Sequence, residues 1–357
     1  LMNSDKIFEN VDAILIYNQG EPVVDLNFFY FTRLLDSGIF EGSYLYMDKE
    51  KRSIITSELE ETSARKSGWD VKIFRKVAER DEILKNLILG KKKIGISYST
   101  FTIKEFNNLK SKFSAVDFID IDPYLNELRQ VKDNFEISLI KEAAKIASDA
   151  VDDLVDYIKE GMTENELAAQ LTFMLMNNGA QENAFTPIVA FGENSAEPHY
   201  FSGQRKLKMG DFILMDFGAR YRKYNSDITR TYVFGRGNEK QKRMYDVVKQ
   251  AQQIGIDAIK AGRMGKEVDS EVRNFIDSTE FRGLFIHSTG HGVGLAVHDH
   301  PALAQSSELV LRPGMVVTVE PGVYVKGFGG VRIEDDVLVK DNGFEVLSYA
   351  YKEYREI

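Results

Sequence analysis

Four acidic residues in the second half of the chain occupy positions that suggest a catalytic or metal-binding role. Asp216 and Glu320 each follow an apolar run typical of a buried strand, and Asp227 and Glu334 lie farther along the chain. A single acid at a strand end usually caps a turn. Several acids at buried positions are rare unless they are paired or bind a metal. The four residues together therefore indicate a metal site.

An internal repeat relates the first acid of each pair. The pattern Leu-[Lys/Arg]-x-Gly, five residues, an acid, one residue and Gly occurs at 207–218 and again at 311–322. Each copy predicts a strand that ends at the acid. The repeat therefore predicts two half-domains related by a pseudo-twofold axis, with Asp216 and Glu320 at equivalent points of facing strands.

The second acid of each half lies in a predicted return strand. Apolar and polar residues alternate around Asp227 and Glu334, as they do in strands. A hairpin would bring each of them beside the first acid of its half, so that all four carboxylates converge. Burying four unpaired carboxylates would cost several kcal/mol per ion. Two divalent cations cancel their charge, which predicts a two-metal site with a separation of about 3.5–4 Å.

His291 is the predicted nitrogen ligand of this site. Gly290 and Gly292 flank it and let the backbone approach a neighbouring group closely. The chain has no cysteine, so the metals must be bound by oxygen and imidazole nitrogen. An oxygen-rich site with one imidazole favours Mn(II) or Co(II), with Fe(II) and Zn(II) as alternatives.

Two more histidines could act on a substrate beside the metals. His199 lies in Glu-Pro-His-Tyr, and His298 lies in Ala-Val-His-Asp-His-Pro. Neutral imidazoles in such positions can donate hydrogen bonds to a developing oxyanion or to a leaving nitrogen. Their spacing alone fits histidines of surface loops equally well.

Composition excludes several classes of function. The net charge of −9 argues against nucleic acid as a partner, because phosphate binding needs a basic surface. The absence of cysteine excludes disulfides and thiolate metal sites. We find no signal peptide and no apolar run that could span a bilayer, and we expect a cytoplasmic protein without a membrane partner.

The length of 357 residues suggests two domains. Short apolar runs alternate with helical stretches in the first third, which predicts an α/β domain over residues 1–128. Predicted strands there include 13–17 and 43–47, and a helix is predicted over 81–89. Residues 129–357 are predicted to form an α+β domain that contains the internal repeat and opens with a long helix ending at Gly161.

The motifs resemble those of the pita-bread metallopeptidases, the family of Xaa-Pro dipeptidase (prolidase) and Xaa-Pro aminopeptidase. They are Asp-Phe-Gly, Ser-Asp-x-Thr-Arg, Gly-His-Gly-x-Gly, Glu-Pro-Gly and Arg-Ile-Glu-Asp, which together contain the metal ligands in the order Asp, Asp, His, Glu, Glu. The first domain is similar to the creatinase/prolidase N-terminal domain. One departure is Tyr200, where members of the family often have a second histidine.

The resemblance implies a role for each residue of the site. Asp227 and Glu334 would bridge the two metals, Asp216 would bind one of them, and His291 and Glu320 would bind the other. Glu320 would also shuttle a proton. His199 and His298 would contact the substrate. Arg332 would orient Glu334 without binding a metal itself.

The function that the resemblance implies is hydrolysis of the peptide bond before proline, as an Xaa-Pro dipeptidase. Two alternatives stay open. One is an Xaa-Pro aminopeptidase that acts on longer proline-containing peptides. The other is a non-catalytic binding module on the same fold, although such relatives lose metal ligands and this chain has all five. A homodimer is expected from the resemblance alone.

Overall fold

The computed structural model describes residues 4–357. The chain forms two compact units, which divide between Arg129 and Gln130. Among the helices of residues 4–357, none combines the length and the apolar character that crossing a lipid bilayer requires.

The first unit is built on one mixed sheet with the strand order β4-β3-β2-β1-β5-β6. Its strands are β1 (Ala13–Asn18), β2 (Ser43–Met47), β3 (Arg52–Ser57), β4 (Asp70–Phe74), β5 (Lys93–Ile96) and β6 (Asp117–Asp120). Its helices are α1 (Leu26–Thr32), α2 (Glu61–Ala64), α3 (Val77–Ile88), α4 (Ile103–Lys112) and α5 (Asp122–Gln130). The strand predicted over residues 43–47 is confirmed with the same bounds. The predicted α/β architecture of this part of the chain is therefore confirmed.

The second unit begins with two long helices. Its helices are α6 (Asn134–Leu154), α7 (Glu164–Asn177), α8 (Glu239–Asp257) and α9 (Gly265–Asp277). Capping boxes start α6 at Asp133 and α7 at Thr163, and such caps satisfy backbone N–H groups that have no partner within the helix. The prediction that α6 runs to Gly161 is wrong. The helix ends at Leu154 and a 3-10 turn follows, although apolar residues continue at helical spacing.

The strands of the second unit form small antiparallel sheets. They are β7 (Glu182–Asn183), β8 (Ile188–Phe191), β9 (Phe212–Phe217), β10 (Ala219–Tyr221), β11 (Tyr224–Asn225), β12 (Ile228–Val233), β13 (Gly290–Gly292), β14 (Asp299–Leu303), β15 (Val316–Val319), β16 (Gly322–Val325), β17 (Gly329–Arg332), β18 (Asp335–Lys340) and β19 (Gly343–Val346). One sheet has the order β12-β9-β8, and another has the order β14-β13-β15-β18-β19. Buried residues of α6 and α7 pack on the first of these sheets.

The internal repeat appears as two related strand pairs. In the first half, β9 pairs with β12 in antiparallel fashion, and the small β10–β11 hairpin connects them. In the second half, β15 pairs with β18, and the β16–β17 hairpin connects them. The predicted α+β fold with an internal repeat is therefore confirmed, and each half supplies one strand pair to the centre of the unit.

Candidate metal centre

The first half of the site is the strand pair β9–β12. Asp216 pairs with Thr229 across the two strands, and Asp227 comes immediately before β12. Side chains alternate between the two faces of a strand. Met215 and Phe217 lie in the hydrophobic core, so Asp216 between them faces the opposite side.

The second half repeats this arrangement with glutamates. Glu320 follows the last residue of β15, and Glu334 comes immediately before β18, where Val319 pairs with Asp335. The backbone N–H of Glu334 donates to the carbonyl oxygen of Thr229 at 3.2 Å. This hydrogen bond joins the two halves next to the acids and brings both second acids to one place.

His291 enters the site from β13. Its flanking glycines are required by close packing, because a Cβ at Gly290 would lie 2.0 Å from the carbonyl oxygen of Thr318. The ring Nδ1 lies 3.0 Å from the carbonyl oxygen of Gly292. A carbonyl only accepts hydrogen bonds, so Nδ1 carries the proton and the lone pair lies on Nε2.

The five predicted ligands line one cavity of about 360 Å³. His291 Nε2 lies 3.6 Å from Asp227 Oδ2 and 3.4 Å from Glu320 Oε1. One ligand atom each of Asp227, His291 and Glu334 lie within 4.8 Å of one another. These separations are too long for hydrogen bonds. They suit ligand atoms placed about 2.0–2.2 Å from a shared cation.

Three acids of the cavity have pKa values above their ordinary values. Burial, followed by the charges of Glu334, Asp216 and Glu320, raises the pKa of Asp227 well above its ordinary value. Burial and the neighbouring carboxylates likewise raise the pKa of Glu334. Burial raises the pKa of Glu320 to about 8, although Arg332 acts against this. The protein itself thus supplies too little positive charge for these carboxylates.

Of the five ligand candidates, only Asp216 has an arginine or lysine as a direct partner among residues 4–357. Arg332 Nη2 donates to Asp216 Oδ2 at 2.5 Å, and Arg332 Nε donates to Thr229 Oγ1 at 3.1 Å. Thr229 Oγ1 in turn donates to Glu334 Oε2 at 2.7 Å. Arg332 therefore contacts Asp216 directly and reaches Glu334 through Thr229, and its predicted role in orienting Glu334 stays a prediction. The guanidinium can span two strands, and sequence spacing did not show which acid it would meet.

The donor set fits divalent cations. Asp216 Oδ1 is buried and has no hydrogen-bond partner among residues 4–357, which is costly for a carboxylate oxygen unless an ion binds it. The His291 lone pair points toward carboxylates that cannot donate to it when ionised. Four acids and one imidazole form an oxygen-rich donor set that suits divalent cations.

His199 and His298 line the same cavity, and both residues are exposed. The ring of His298 lies 4.3 Å from that of His291, in an edge-on arrangement. Burial, followed by the charge of His291, lowers the pKa of His298. Its imidazole is therefore neutral near pH 7 and can donate one hydrogen bond into the cavity.

Sequence reasoning missed a buried chain of hydrogen bonds behind Asp216. Arg332 Nη1 donates to Tyr324 Oη at 2.7 Å, and Tyr324 Oη lies 2.8 Å from His287 Nε2. His287 Nδ1 lies 2.8 Å from the carbonyl oxygen of Ser288, so it carries the proton and Nε2 accepts from Tyr324. Burial and Arg332 lower the pKa of His287 to about 3, which keeps the ring neutral. Two features of the sequence could have indicated this chain of hydrogen bonds. They are the Tyr of Pro-Gly-Val-Tyr and the histidine that lies just before the Gly-His-Gly motif.

Comparison with protein families gives two matches. The model of metallopeptidase family M24 matches residues 138–341. The model of the creatinase/prolidase N-terminal domain matches residues 8–131. The first match covers the whole candidate metal centre, and the second covers the unit that contains the mixed sheet.

Comparison with individual proteins agrees with the two family matches. The chain is 40% identical to the Xaa-Pro dipeptidase of Pyrococcus furiosus over 345 residues, which cover 96% of this chain and 95% of that protein. The solved structure of the prolidase of Pyrococcus horikoshii is similar with a TM-score of 0.90 and 37% identity, covering 98% of each chain. The solved structure of the X-Pro aminopeptidase of Thermotoga maritima has a TM-score of 0.93 and 33% identity, covering 99% of each chain.

Proposed function

The chain belongs to metallopeptidase family M24, and we propose that it hydrolyses the peptide bond before proline as an Xaa-Pro dipeptidase. It is a hydrolase by family, and the relatives named above include a dipeptidase and a prolidase. We further propose that it uses two divalent ions, Mn(II) or Co(II), with Fe(II) and Zn(II) as alternatives. Asp216, Asp227, His291, Glu320 and Glu334 would bind them.

One observation carries the proposal. Four carboxylates and an imidazole line a single cavity, and burial together with the neighbouring carboxylates raises the pKa values of three of those acids. Bound divalent cations would polarise the scissile carbonyl and lower the pKa of an attacking water. A cavity built only to hold the fold together would not retain so much uncompensated charge.

The residues around the metals suit a bond before proline. That bond is a tertiary amide without an N–H, so recognition cannot use the N–H that other peptide bonds offer. His199 and His298 would donate hydrogen bonds to the carbonyl oxygen as negative charge develops there. Glu320 would take a proton from the attacking water and deliver it to the proline nitrogen. Arg332 would hold Asp216 through their ion pair.

The test uses purified chain loaded with Mn(II) or Co(II). We expect hydrolysis of Gly-Pro-type dipeptides, with two metal ions per chain measured by mass spectrometry. Absence of cleavage of every Xaa-Pro substrate would exclude the proposed activity. Absence of stoichiometric metal would instead support the non-catalytic binding module.

An Xaa-Pro aminopeptidase is the second candidate function, and a second cavity favours it. This cavity has a volume of about 680 Å³ and shares Phe185, Ile188 and His199 with the metal cavity. It could accept peptide residues beyond a dipeptide. Comparing kcat/KM for Xaa-Pro with that for Xaa-Pro-Yaa-Zaa decides between the two, because a dipeptidase should prefer the shorter substrate. A homodimer and a cytoplasmic location stay predictions.

A further inference from the structure

His199 lies on a segment that its own exposed side chain does not hold in place. The segment 191–203 begins at the last residue of β8 and contributes Pro198 and His199 to the lining of the metal cavity, and His199 is exposed. An exposed imidazole loses rotamer and backbone freedom when it acts on a substrate. Something else must therefore hold the segment.

Glu164 clamps both ends of this segment. It is the first residue of α7, and it is fully buried. Its Oε1 accepts from the backbone N–H of Phe191 at 2.9 Å, where the segment begins. Its Oε2 accepts from the backbone N–H of Gly203 at 3.0 Å, where the segment ends.

Two side chains within the segment complete the clamp. Asn194 Nδ2 donates to Glu164 Oε1 at 2.9 Å and to Tyr200 Oη at 2.8 Å. Tyr200 Oη donates to Glu164 Oε2 at 2.8 Å. One buried carboxylate thus accepts four hydrogen bonds from a single segment, and the N-terminus of α7 favours its negative charge.

We propose that Glu164 and Tyr200 are positioning residues that fix His199 over the metal cavity. Tyr200 follows His199 directly in the chain, so the hydroxyl bond to Glu164 anchors the backbone on which the imidazole stands. The residue that departs from the family pattern thus belongs to the support of the site. The kinetic part of this inference rests on the proposed function, and the part that concerns the segment itself does not.

The first experiment removes a single hydroxyl. Tyr200→Phe should lower kcat/KM for an Xaa-Pro substrate about tenfold, the size expected for a lost hydrogen bond to a charged group. Metal affinity, measured by calorimetry, should stay unchanged. Tyr349→Phe is the matched control, because it also removes a tyrosine–carboxylate bond, to Asp149, at an exposed place outside the cavity. This control should retain full activity.

A double-mutant cycle separates positioning from general stability. If Tyr200 acts through His199, the Tyr200→Phe effect on kcat/KM should nearly vanish in a His199→Ala background. An equal loss in both backgrounds would overturn the proposal. Glu164→Gln replaces one acceptor oxygen by an NH2 donor that faces two donors of the segment. It should show the same dependence on His199 with a larger effect.

Hydrogen–deuterium exchange tests the segment without metal or substrate. Peptides covering residues 191–203 should exchange faster in Tyr200→Phe than in the unmodified protein, and Tyr349→Phe should leave them unchanged. Unchanged exchange of this segment in Tyr200→Phe would overturn the proposal. Because this measurement needs no turnover, it remains decisive even if no Xaa-Pro substrate is cleaved.

Discussion

Glu334 and Asp335 are neighbours in the chain and are both buried, yet their surroundings are opposite. Glu334 is 1% exposed and Asp335 is 0% exposed. Adjacent residues at the start of a strand point to opposite faces, so the two carboxylates enter different environments. Comparing them separates acids that the protein pairs with its own cations from acids that are available to a metal.

Asp335 is fully compensated by the protein. Its Oδ1 accepts from Arg230 Nη2 at 2.7 Å, and its Oδ2 accepts from Gln252 at 2.7 Å and from Lys352 at 2.8 Å. Burial alone would raise the pKa of Asp335, but Arg230 and Lys352 outweigh it and hold the pKa below its ordinary value. We call Asp335 and its two cationic partners, Arg230 and Lys352, the frame of the metal centre.

Arg230 connects that frame to the metal centre. It is fully buried, and its Nη1 donates to the backbone carbonyl oxygens of Glu334 at 2.6 Å and Thr229 at 2.9 Å. It also donates to the carbonyl oxygen of Ala350 from Nε and Nη2. The backbone around Glu334 is thereby held from the side opposite the cavity, while its side chain keeps a raised pKa.

The role of a buried acid can be inferred from the charges around it. An acid with fixed cations around it stabilises the fold only as a complete pair, and breaking the pair is costly. An acid without such partners, grouped with others, requires a cation from solution. Substitutions in the two classes of acid should therefore have separable effects on metal binding and on stability.

The largest expected effect follows from removing one metal-centre charge. Asp227→Asn and Glu334→Gln should abolish hydrolysis and metal retention, because either change removes a carboxylate proposed to bridge the metals. The folded state of the metal-free protein should be retained or stabilised, since repulsion among acids falls. Turnover, metal content and thermal unfolding are measured together. Near-normal turnover with two bound metals in either variant would contradict the bridging assignment.

A cavity residue that is not proposed as a ligand should behave differently. His298→Ala should retain the metals but lower kcat by roughly 10²–10⁴-fold, the range for a lost proton or hydrogen-bond donor. Metal content and kcat are measured on the same preparation. Loss of metal in this variant would show that His298 belongs to the ligand set.

Breaking the frame should instead affect stability. Asp335→Asn leaves the buried guanidinium of Arg230 without its anion, and we expect a loss of about 3–5 kcal/mol in the free energy of unfolding. Urea unfolding of metal-free protein measures it. Asp149→Asn is the control, because Asp149 forms an ion pair with Lys145 at an exposed place and should change stability little. An unchanged urea midpoint for Asp335→Asn would remove the distinction between the two acids.

The sequence was sufficient for the parts of this comparison that depend on local pattern. The repeated spacing placed Asp216 and Glu320 at matching strand ends, and the alternation around Asp227 and Glu334 predicted the return strands. These features follow from strand periodicity and turn residues, which are local. For this reason the hairpins could be derived without knowing how the two halves pack.

Partner choice among buried charges could not be derived in this way. Arg230 follows Asp227 in the first half and Arg332 precedes Glu334 in the second half, yet Arg230 pairs with Asp335 and Arg332 with Asp216. An arginine side chain reaches across two strands, so its partner depends on tertiary packing. The bond between His287 and Tyr324 escaped prediction for the same reason, because 37 positions separate these residues.

The pH dependence of metal-free protein should also separate the two classes. The raised pKa values of Asp227, Glu320 and Glu334 mean that the folded state holds protons that the unfolded state loses above about pH 4.5. Stability should therefore fall as pH rises from 7 to 8, by about 1.4 kcal/mol per pH unit for each proton involved. Below pH 7 the lowered pKa values of the cavity histidines act in the opposite direction, because these rings bind protons in the unfolded state and not in the folded state. The lowered pKa of Asp335 acts only in more acidic solution. Urea unfolding after chelation measures the slope, and a rise over this window would contradict it. Saturating Mn(II) should oppose the fall, because metal binding releases those protons.

The smallest effect concerns the second cation of the frame. Lys352 donates to Asp335, but its side chain is 28% exposed, so water can solvate the ammonium when the pair is weakened. Lys352→Met should cost about 1 kcal/mol, well below the cost of Asp335→Asn, because Arg230 still compensates the carboxylate. Urea unfolding of both variants in metal-free protein makes the comparison. If Lys352→Met were as damaging as Asp335→Asn, Arg230 alone would not compensate Asp335, and the frame would depend on a cation at the surface.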